Sequence, residues 1–127
     1  MNLEEVMKYD NFVVLGNTID KNKYACKIKN RLLDCGYNAV GVYKELESLN
    51  DVDFDIEVLD LCINHHLGIK FLKENKKPIK VVVIQPNAGS KEITDFLDDR
   101  GIPYIDGCLL VGCSLLNKHI KGRITNE

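Results

Sequence analysis

A chain of 127 residues, 45% hydrophobic and 28% charged, can enclose one good core but not two. Its 17 Lys and Arg against 19 Asp and Glu give a formal charge of −2, which argues against dedicated nucleic-acid binding, since that role shows a basic excess. No apolar run approaches a membrane span, and Met1-Asn2-Leu3-Glu4-Glu5-Val6 lacks the basic start and apolar stretch of a secretory signal. A single soluble, cytoplasmic domain over residues 1–127, without membrane attachment, is therefore expected.

Leu3, Val6 and Met7 have helical spacing and suit an outer face. Phe12-Val13-Val14-Leu15 is a buried-strand run closed by Gly16. After a polar loop, Tyr24, Ala25, Ile28, Leu32 and Leu33 recur with the helical period, and Cys35-Gly36 supplies the stop. Ala39 to Tyr43 reads as a second strand. Only Lys44 to Asp55 separates it from a third, Ile56 to Ile63, a gap that admits at most a short helical turn around Leu46 and Leu49. Glu57 and Asp60 weaken the case for full burial of that third strand. His66 to Asn75 suits a helix through Leu67, Phe71 and Leu72, with Pro78 blocking its continuation. Ile79 to Ile84 is the clearest strand. Ser90 can cap a helix with Ile93, Phe96 and Leu97 on its inner face and Gly101 at its end. Ile102 to Ile105 is a last short strand, and Ser114 to Ile120 a candidate final helix. Alternating strands and helices predict an α/β fold, a parallel sheet of about five strands covered on both faces.

The five cysteines (Cys26, Cys35, Cys62, Cys108, Cys113) are odd in number and have no C-x-x-C spacing, unlike a secreted disulfide framework. Cys26, Cys35 and Cys62 sit among apolar residues and read as small buried hydrophobes. His65, His66 and His119 do not join them in a zinc spacing, so no metal site is expected.

In an open parallel sheet, ligands gather beyond the carboxyl ends of the strands. Gly16-Asn17-Thr18, Tyr43-Lys44, Asn64-His65-His66, Gln85-Pro86-Asn87 and Asp106-Gly107-Cys108 occupy those positions. Gly16 lets backbone approach a ligand, the following helix start offers unpaired N–H groups to phosphate, and Lys21 and Lys23 add positive charge. An ordinary strand-to-helix turn with solvated lysines accounts for the same residues, and the dinucleotide pattern G-x-G-x-x-G is absent. At the end of the second strand, NAD binding places an acid on the ribose. Here Tyr43-Lys44 precedes Glu45, which favours a phosphorylated ribose and leaves Tyr43 to cover an adenine face. A surface lysine beside a half-buried tyrosine is the plain alternative. His65 and His66 lack carboxylate or nucleophile partners and read as capping or surface residues. Cys108 sits in a glycine-flanked turn with no neighbouring base in sequence to activate it, so no catalytic residue is assigned. The acidic stretch Glu45 to Asp60 and the basic stretch Lys70 to Lys80 read as solvated faces.

Phe12 to Thr18, then Lys23-Tyr24-Ala25, then Leu32 to Val42 with Gly36-Tyr37 resemble the start of the small CoA-binding domain family. Its members are single Rossmann-like domains similar to the CoA-binding domain of the succinyl-CoA synthetase alpha subunit. Ile63-Asn64, Val83 to Pro86 and Asp106 to Val111 resemble its later segments in the same order, so that the likeness runs from about Leu3 to Leu116. The resemblance implies non-enzymatic binding of coenzyme A or an acyl-CoA, as a carrier, sensor or accessory subunit. Carried over, Gly16, Asn17 and Thr18 line the diphosphate loop, with Lys23 and Tyr24 at the helix start. Tyr43 and Lys44 face the adenosine and its 3′-phosphate; Asn64, His65, Gln85 and Pro86 border the pantetheine path; Cys108 closes the far side.

The chain departs from the family in three places. Tyr43-Lys44 stands where Asn-Pro is frequent, the next connection is short, and Gln-Pro-Gly becomes Gln85-Pro86-Asn87. The synthetase's phosphohistidine belongs to a separate domain, and none of the three histidines inherits it. The expected partner is a small CoA-type ligand; a homodimer or a protein partner stays open. The competing readings are an NAD(P)- or other nucleotide-binding oxidoreductase and a degenerate domain acting through protein contacts.

Overall fold

The computed structural model describes residues 1–115. Five strands form one sheet: β1 (Asn11–Gly16), β2 (Asn38–Tyr43), β3 (Ile56–Leu61), β4 (Ile79–Ile84) and β5 (Tyr104–Asp106). The strand order is β2-β1-β3-β4-β5, and every pairing is parallel. Between them run α1 (Leu3–Val6), α2 (Tyr24–Asp34), α3 (His65–Glu74), α4 (Lys91–Asp99) and α5 (Leu109–Leu115), with a 3₁₀ turn at Leu49–Asp51.

The sheet is buried on both sides, as continuous apolar strands require. Phe12, Val14, Val58, Val81 and Val83 join residues of α1, α2 and α5 in one apolar layer. Val13, Leu15, Leu59, Leu61 and Val82 join the 3₁₀ turn, α3 and α4 in the other. Tyr37 anchors the first layer: its hydroxyl donates to the Met7 carbonyl at 2.6 Å, and its ring meets Phe12 edge-on.

The short β2–β3 connection has a specific outcome. Leu46 makes a single parallel bridge to Val42, through Tyr43 N–H to Leu46 O and Leu46 N–H to Gly41 O. β2 thus forms the outer edge of the sheet, with this single bridge beside it.

Element ends follow local chemistry. Asn64 caps α3 by accepting from Leu67 N–H at 3.0 Å, and Ser90 caps α4 by accepting from Ile93 N–H at 3.2 Å. Gly36 (φ 91°) ends α2 and Gly101 (φ 67°) follows α4, both in the left-handed region. Several boundaries shift from the sequence reading. β3 stops at Leu61 because Cys62 and Ile63 begin the turn into α3, which itself starts at His65. β5 runs Tyr104–Asp106, since Ile102 instead closes the end of α4 by donating to Leu97 O. The last described helix, α5, begins at Leu109 rather than Ser114. Residues 116–120 of the expected tail helix lie outside the described residues.

Two expectations of solvated charge are corrected. Asp60 has no exposed surface, and Glu45 is turned inwards. Both positions follow from the sheet: Asp60 is in a central strand covered on each face, and Glu45 lies beside the Leu46 bridge. On the basic side, Lys77 donates to the Val52 carbonyl, so that this lysine ties two loops together. Cys62 departs from its fellow thiols: Cys26, Cys35 and Cys113 are buried, whereas Cys62 is only partly so.

Candidate functional site

β1 pairs with β2 on one side and β3 on the other. The connections from β1 and β3 pass to opposite faces, α2 to one and α3 to the other. Strand order reverses there, and a crevice opens above the carboxyl ends. The structure has a cleft of about 750 Å³ at that point. Its walls are Asn17, the α2 start at Lys23, Tyr24 and Ala25, the β2 end at Tyr43 and Lys44, Cys62 to Asn64 with Leu67, and Gln85 to Ala88.

The floor is formed where the parallel ladder continues one residue past β3, β4 and β5. Cys62 N–H donates to Leu15 O at 2.9 Å, Gln85 N–H to Leu61 O at 3.1 Å, and Gly107 N–H to Ile84 O at 3.0 Å. Gly16 makes the cleft compact. A Cβ on Gly16 would stand 2.4 Å from the Cys62 carbonyl oxygen and 2.8 Å from Ala25 Cβ. Its lack of a side chain thus serves the approach of α2 to the sheet.

The start of α2 differs from those of α3 and α4. Its N-cap, Lys23, has extended backbone (φ −91°, ψ 144°) and makes no side-chain cap. The first N–H groups of an uncapped helix have no intrahelical acceptor, and here they sit in the cleft wall at Tyr24 and Ala25. The Lys23 and Lys44 ammonium groups belong to none of the ion pairs among the described residues. Lys44 Nζ instead stands 4.8 Å from the Tyr43 ring centroid. The preceding loop is internally fixed. Asn17 Oδ1 accepts from the N–H groups of Ile19 at 3.2 Å and Asp20 at 3.1 Å.

Thr18 and Glu45 hold this loop to the β2 end. The Thr18 hydroxyl donates to Glu45 Oε1 at 2.6 Å, and Lys29 pairs with the same oxygen. Although burial works against it, the Lys29 and Thr18 hydrogen bonds hold the Glu45 carboxyl below its ordinary range. Glu45, the first acid after the β2 end, is therefore committed within the protein. A second site of constraint is Tyr43, whose φ of 116° is strained for a bulky residue. Its ring meets Phe71 edge-on with centroids 6.1 Å apart. Asn87 also has positive φ, 71°. It stands where the resembled family has glycine, and Asn tolerates the left-handed region better than other side chains.

Of the twelve residues singled out from sequence, eight line the cleft together: Asn17, Lys23, Tyr24, Tyr43, Lys44, Asn64, Gln85 and Pro86. The other four, Gly16, Thr18, His65 and Cys108, are not in its wall. Gly16 lies under it and Thr18 is buried against Glu45. His65 opens α3 and its ring lies 4.0 Å from that of His66. Cys108 precedes α5, its carbonyl accepting from Val111 and Gly112 N–H. Sequence reasoning missed Cys62 and Asp60. Burial, followed by the proximity of Asp60 and Cys108, pushes the Cys62 thiol up to about 12, which keeps it protonated. Asp60 lies directly beneath Gln85, whose Nε2 donates to its Oδ1 at 3.0 Å. Its signal in the sequence was an acid inside an apolar strand. No group of three or more His, Cys, Asp or Glu among the described residues is arranged to hold a metal.

Fold and cleft together define a Rossmann-like domain with a crevice at the carboxyl ends of its strands. Residues 10–114 match the family described as "CoA binding domain", and the chain belongs to that family. It is similar to a conserved hypothetical protein from Pyrococcus furiosus, at 27% identity and a TM-score of 0.72, over 81% of this chain and 98% of that one. It also shares its fold with the PH1109 protein redesigned for binding (22% identity, TM-score 0.79, 93% of this chain and 94% of that one). A Thermus thermophilus protein has the same fold (19% identity, TM-score 0.78, 90% and 98%). No curated protein matches the chain.

Proposed function

We propose that the cleft binds coenzyme A or an acyl-CoA, and that the domain acts as a carrier, sensor or accessory subunit without chemistry of its own. The observation that carries this reading is the uncapped start of α2, facing the cleft beside the ammonium groups of Lys23 and Lys44. Free N–H groups at a positive helix end form a ready site for a diphosphate. Family membership makes CoA the diphosphate of choice.

The β2 end supports the same ligand over a free nicotinamide dinucleotide. A ribose diol needs an acceptor carboxylate, and Glu45 is committed to Lys29 and Thr18. Lys44 beside Tyr43 suits a 3′-phosphate on an adenosine instead. The cleft volume of about 750 Å³ falls within the range of roughly 300–1,000 Å³ usual for small-molecule sites. A role without covalent chemistry is supported by the Cys62 thiol, the one cysteine in the cleft wall, which is held protonated and is a poor nucleophile in that state.

Titration calorimetry with CoA, dephospho-CoA and NADH tests the reading. CoA is expected to bind tightest, and Lys44→Ala is expected to remove its advantage over dephospho-CoA. Equal affinity of the wild-type chain for CoA and dephospho-CoA would refute the role of Lys44. Preference for NADH would refute the ligand itself.

A further inference from the structure

Beneath the cleft lies a polar pair with no part in phosphate binding. Asp60 sits in the middle of the sheet, opposite Val14 of β1 and Val83 of β4, and has no exposed surface. It shares the alternation of Val58, so its carboxyl enters the apolar layer under α2 and α5. A buried carboxyl is costly unless it is neutral or paired. Burial indeed pushes Asp60 well above the usual carboxyl range, with the Gln85 hydrogen bond acting in the opposite sense. Its Oδ2 has no hydrogen-bond partner among the described residues.

Gln85 links this carboxyl to the cleft. The residue is only 6% exposed, yet it forms part of the cleft wall. A primary amide can present either its oxygen or its nitrogen to a ligand. Here Nε2 is committed downwards to Asp60 Oδ1 at 3.0 Å. The amide oxygen receives no hydrogen bond from the described residues, and it is not among the buried polar atoms left unpartnered. With one N–H turned to Asp60, that oxygen is left available to a ligand in the cleft.

We infer that Asp60 is a positioning residue, which turns the Gln85 amide so that its oxygen accepts an N–H from the amide-bearing arm of the ligand. The inference rests on the CoA reading, because the pantetheine portion of CoA supplies such N–H donors. An arm bearing only acceptors would meet the lone pairs of Oε1 and be disfavoured. Asp60 thus contributes to specificity without touching the ligand.

The test compares CoA with adenosine 3′,5′-bisphosphate, which has the nucleotide half but no amide arm. Asp60→Leu is expected to weaken CoA about tenfold, the loss for one aligned hydrogen bond, and to leave the bisphosphate unchanged. Gln85→Leu is expected to give the same loss, and the double variant no further loss. Asp60→Asn keeps an oxygen acceptor and is expected to retain wild-type affinity. Equal weakening of both ligands by Asp60→Leu, no effect on either, or additive losses in the double variant would overturn the inference. Should Asp60→Leu fail to fold, the side-chain amide resonance of Gln85 in the wild-type protein decides: CoA shifts it and the bisphosphate does not. Identical responses to the two would overturn the assignment. If the wild-type chain binds the bisphosphate but not CoA, or neither, the CoA reading itself fails, a result distinct from tight CoA binding that ignores Asp60.

Discussion

Replacing Lys23 by serine should make the protein more stable and a poorer binder at once. Lys23 has the extended backbone of an N-cap but makes no cap. A serine in that conformation can accept from the N–H two or three residues on, which typically contributes about 1 kcal/mol. Removing a cation from the positive end of α2 adds roughly 0.3–1 kcal/mol. Each kcal/mol raises the melting temperature of a chain this long by about 4 °C, so a gain of roughly 5–8 °C is expected without ligand. The same serine occupies an N–H offered to phosphate and deletes a cation beside it. Hydrogen bonds to charged groups contribute about 1.5–3 kcal/mol, so CoA affinity should fall by at least about tenfold. Scanning calorimetry of the free protein and titration with CoA measure both effects. A variant that is stabilised but binds CoA as tightly as wild type would show that the phosphate does not sit at α2. A variant that is not stabilised would show that the helix start is already satisfied.

Three further outcomes follow from the packing. Gly16→Ala should destabilise the fold by about 1–3 kcal/mol or more in urea titration, the usual cost of overpacking, because the new methyl meets the Cys62 carbonyl and Ala25. Thr18→Val should cost about 1–2 kcal/mol by the same measurement, since it removes one of the two partners of Glu45 Oε1. Asp60→Asn should flatten the pH dependence of stability. The folded protein holds the Asp60 proton more tightly than the unfolded chain, so this carboxyl's stabilising contribution is complete below its ordinary range and is lost as pH rises towards its raised value. The variant should therefore gain on wild type as pH rises above the ordinary carboxyl range, and show no gain near pH 3. A constant difference across the range would contradict the raised pKa.

The alternation of apolar strands and periodic helices was legible because both faces of a parallel sheet need covering. Phe12 to Leu15 and Ile79 to Ile84 announce themselves by composition alone. The loops at the strand ends were equally legible, since topology dictates where the crevice lies. What escaped was long-range pairing. Glu45 looks solvated until Leu46 is seen to bridge Val42 and carry the acid against Thr18 and Lys29. Asp60 lies in a run whose neighbours in sequence are apolar, but its partner Gln85 is 25 residues away. Thr18 illustrates the same limit. Its place in the first loop suits a phosphate contact, and only the fold shows its hydroxyl committed to Glu45.

The departures from the family pattern are legible in part as well. Asn87 replaces a glycine at a left-handed position that Asn can occupy, so the turn after Gln85 and Pro86 is retained. Tyr43 is the harder case. A bulky residue at φ 116° is held there by the Leu46 bridge and by Phe71, and both contacts come from outside its own strand. Strain of this kind is stored where the surrounding structure fixes it, and here it sets Tyr43 and Lys44 at the mouth of the cleft.

A crystal structure of the protein grown with CoA tests the central claim most directly. The diphosphate is expected at the start of α2, within hydrogen-bond distance of the Tyr24 and Ala25 N–H groups, with the adenosine beside Tyr43 and Lys44. Coenzyme density elsewhere on the surface, or an empty cleft at saturating CoA, would contradict it.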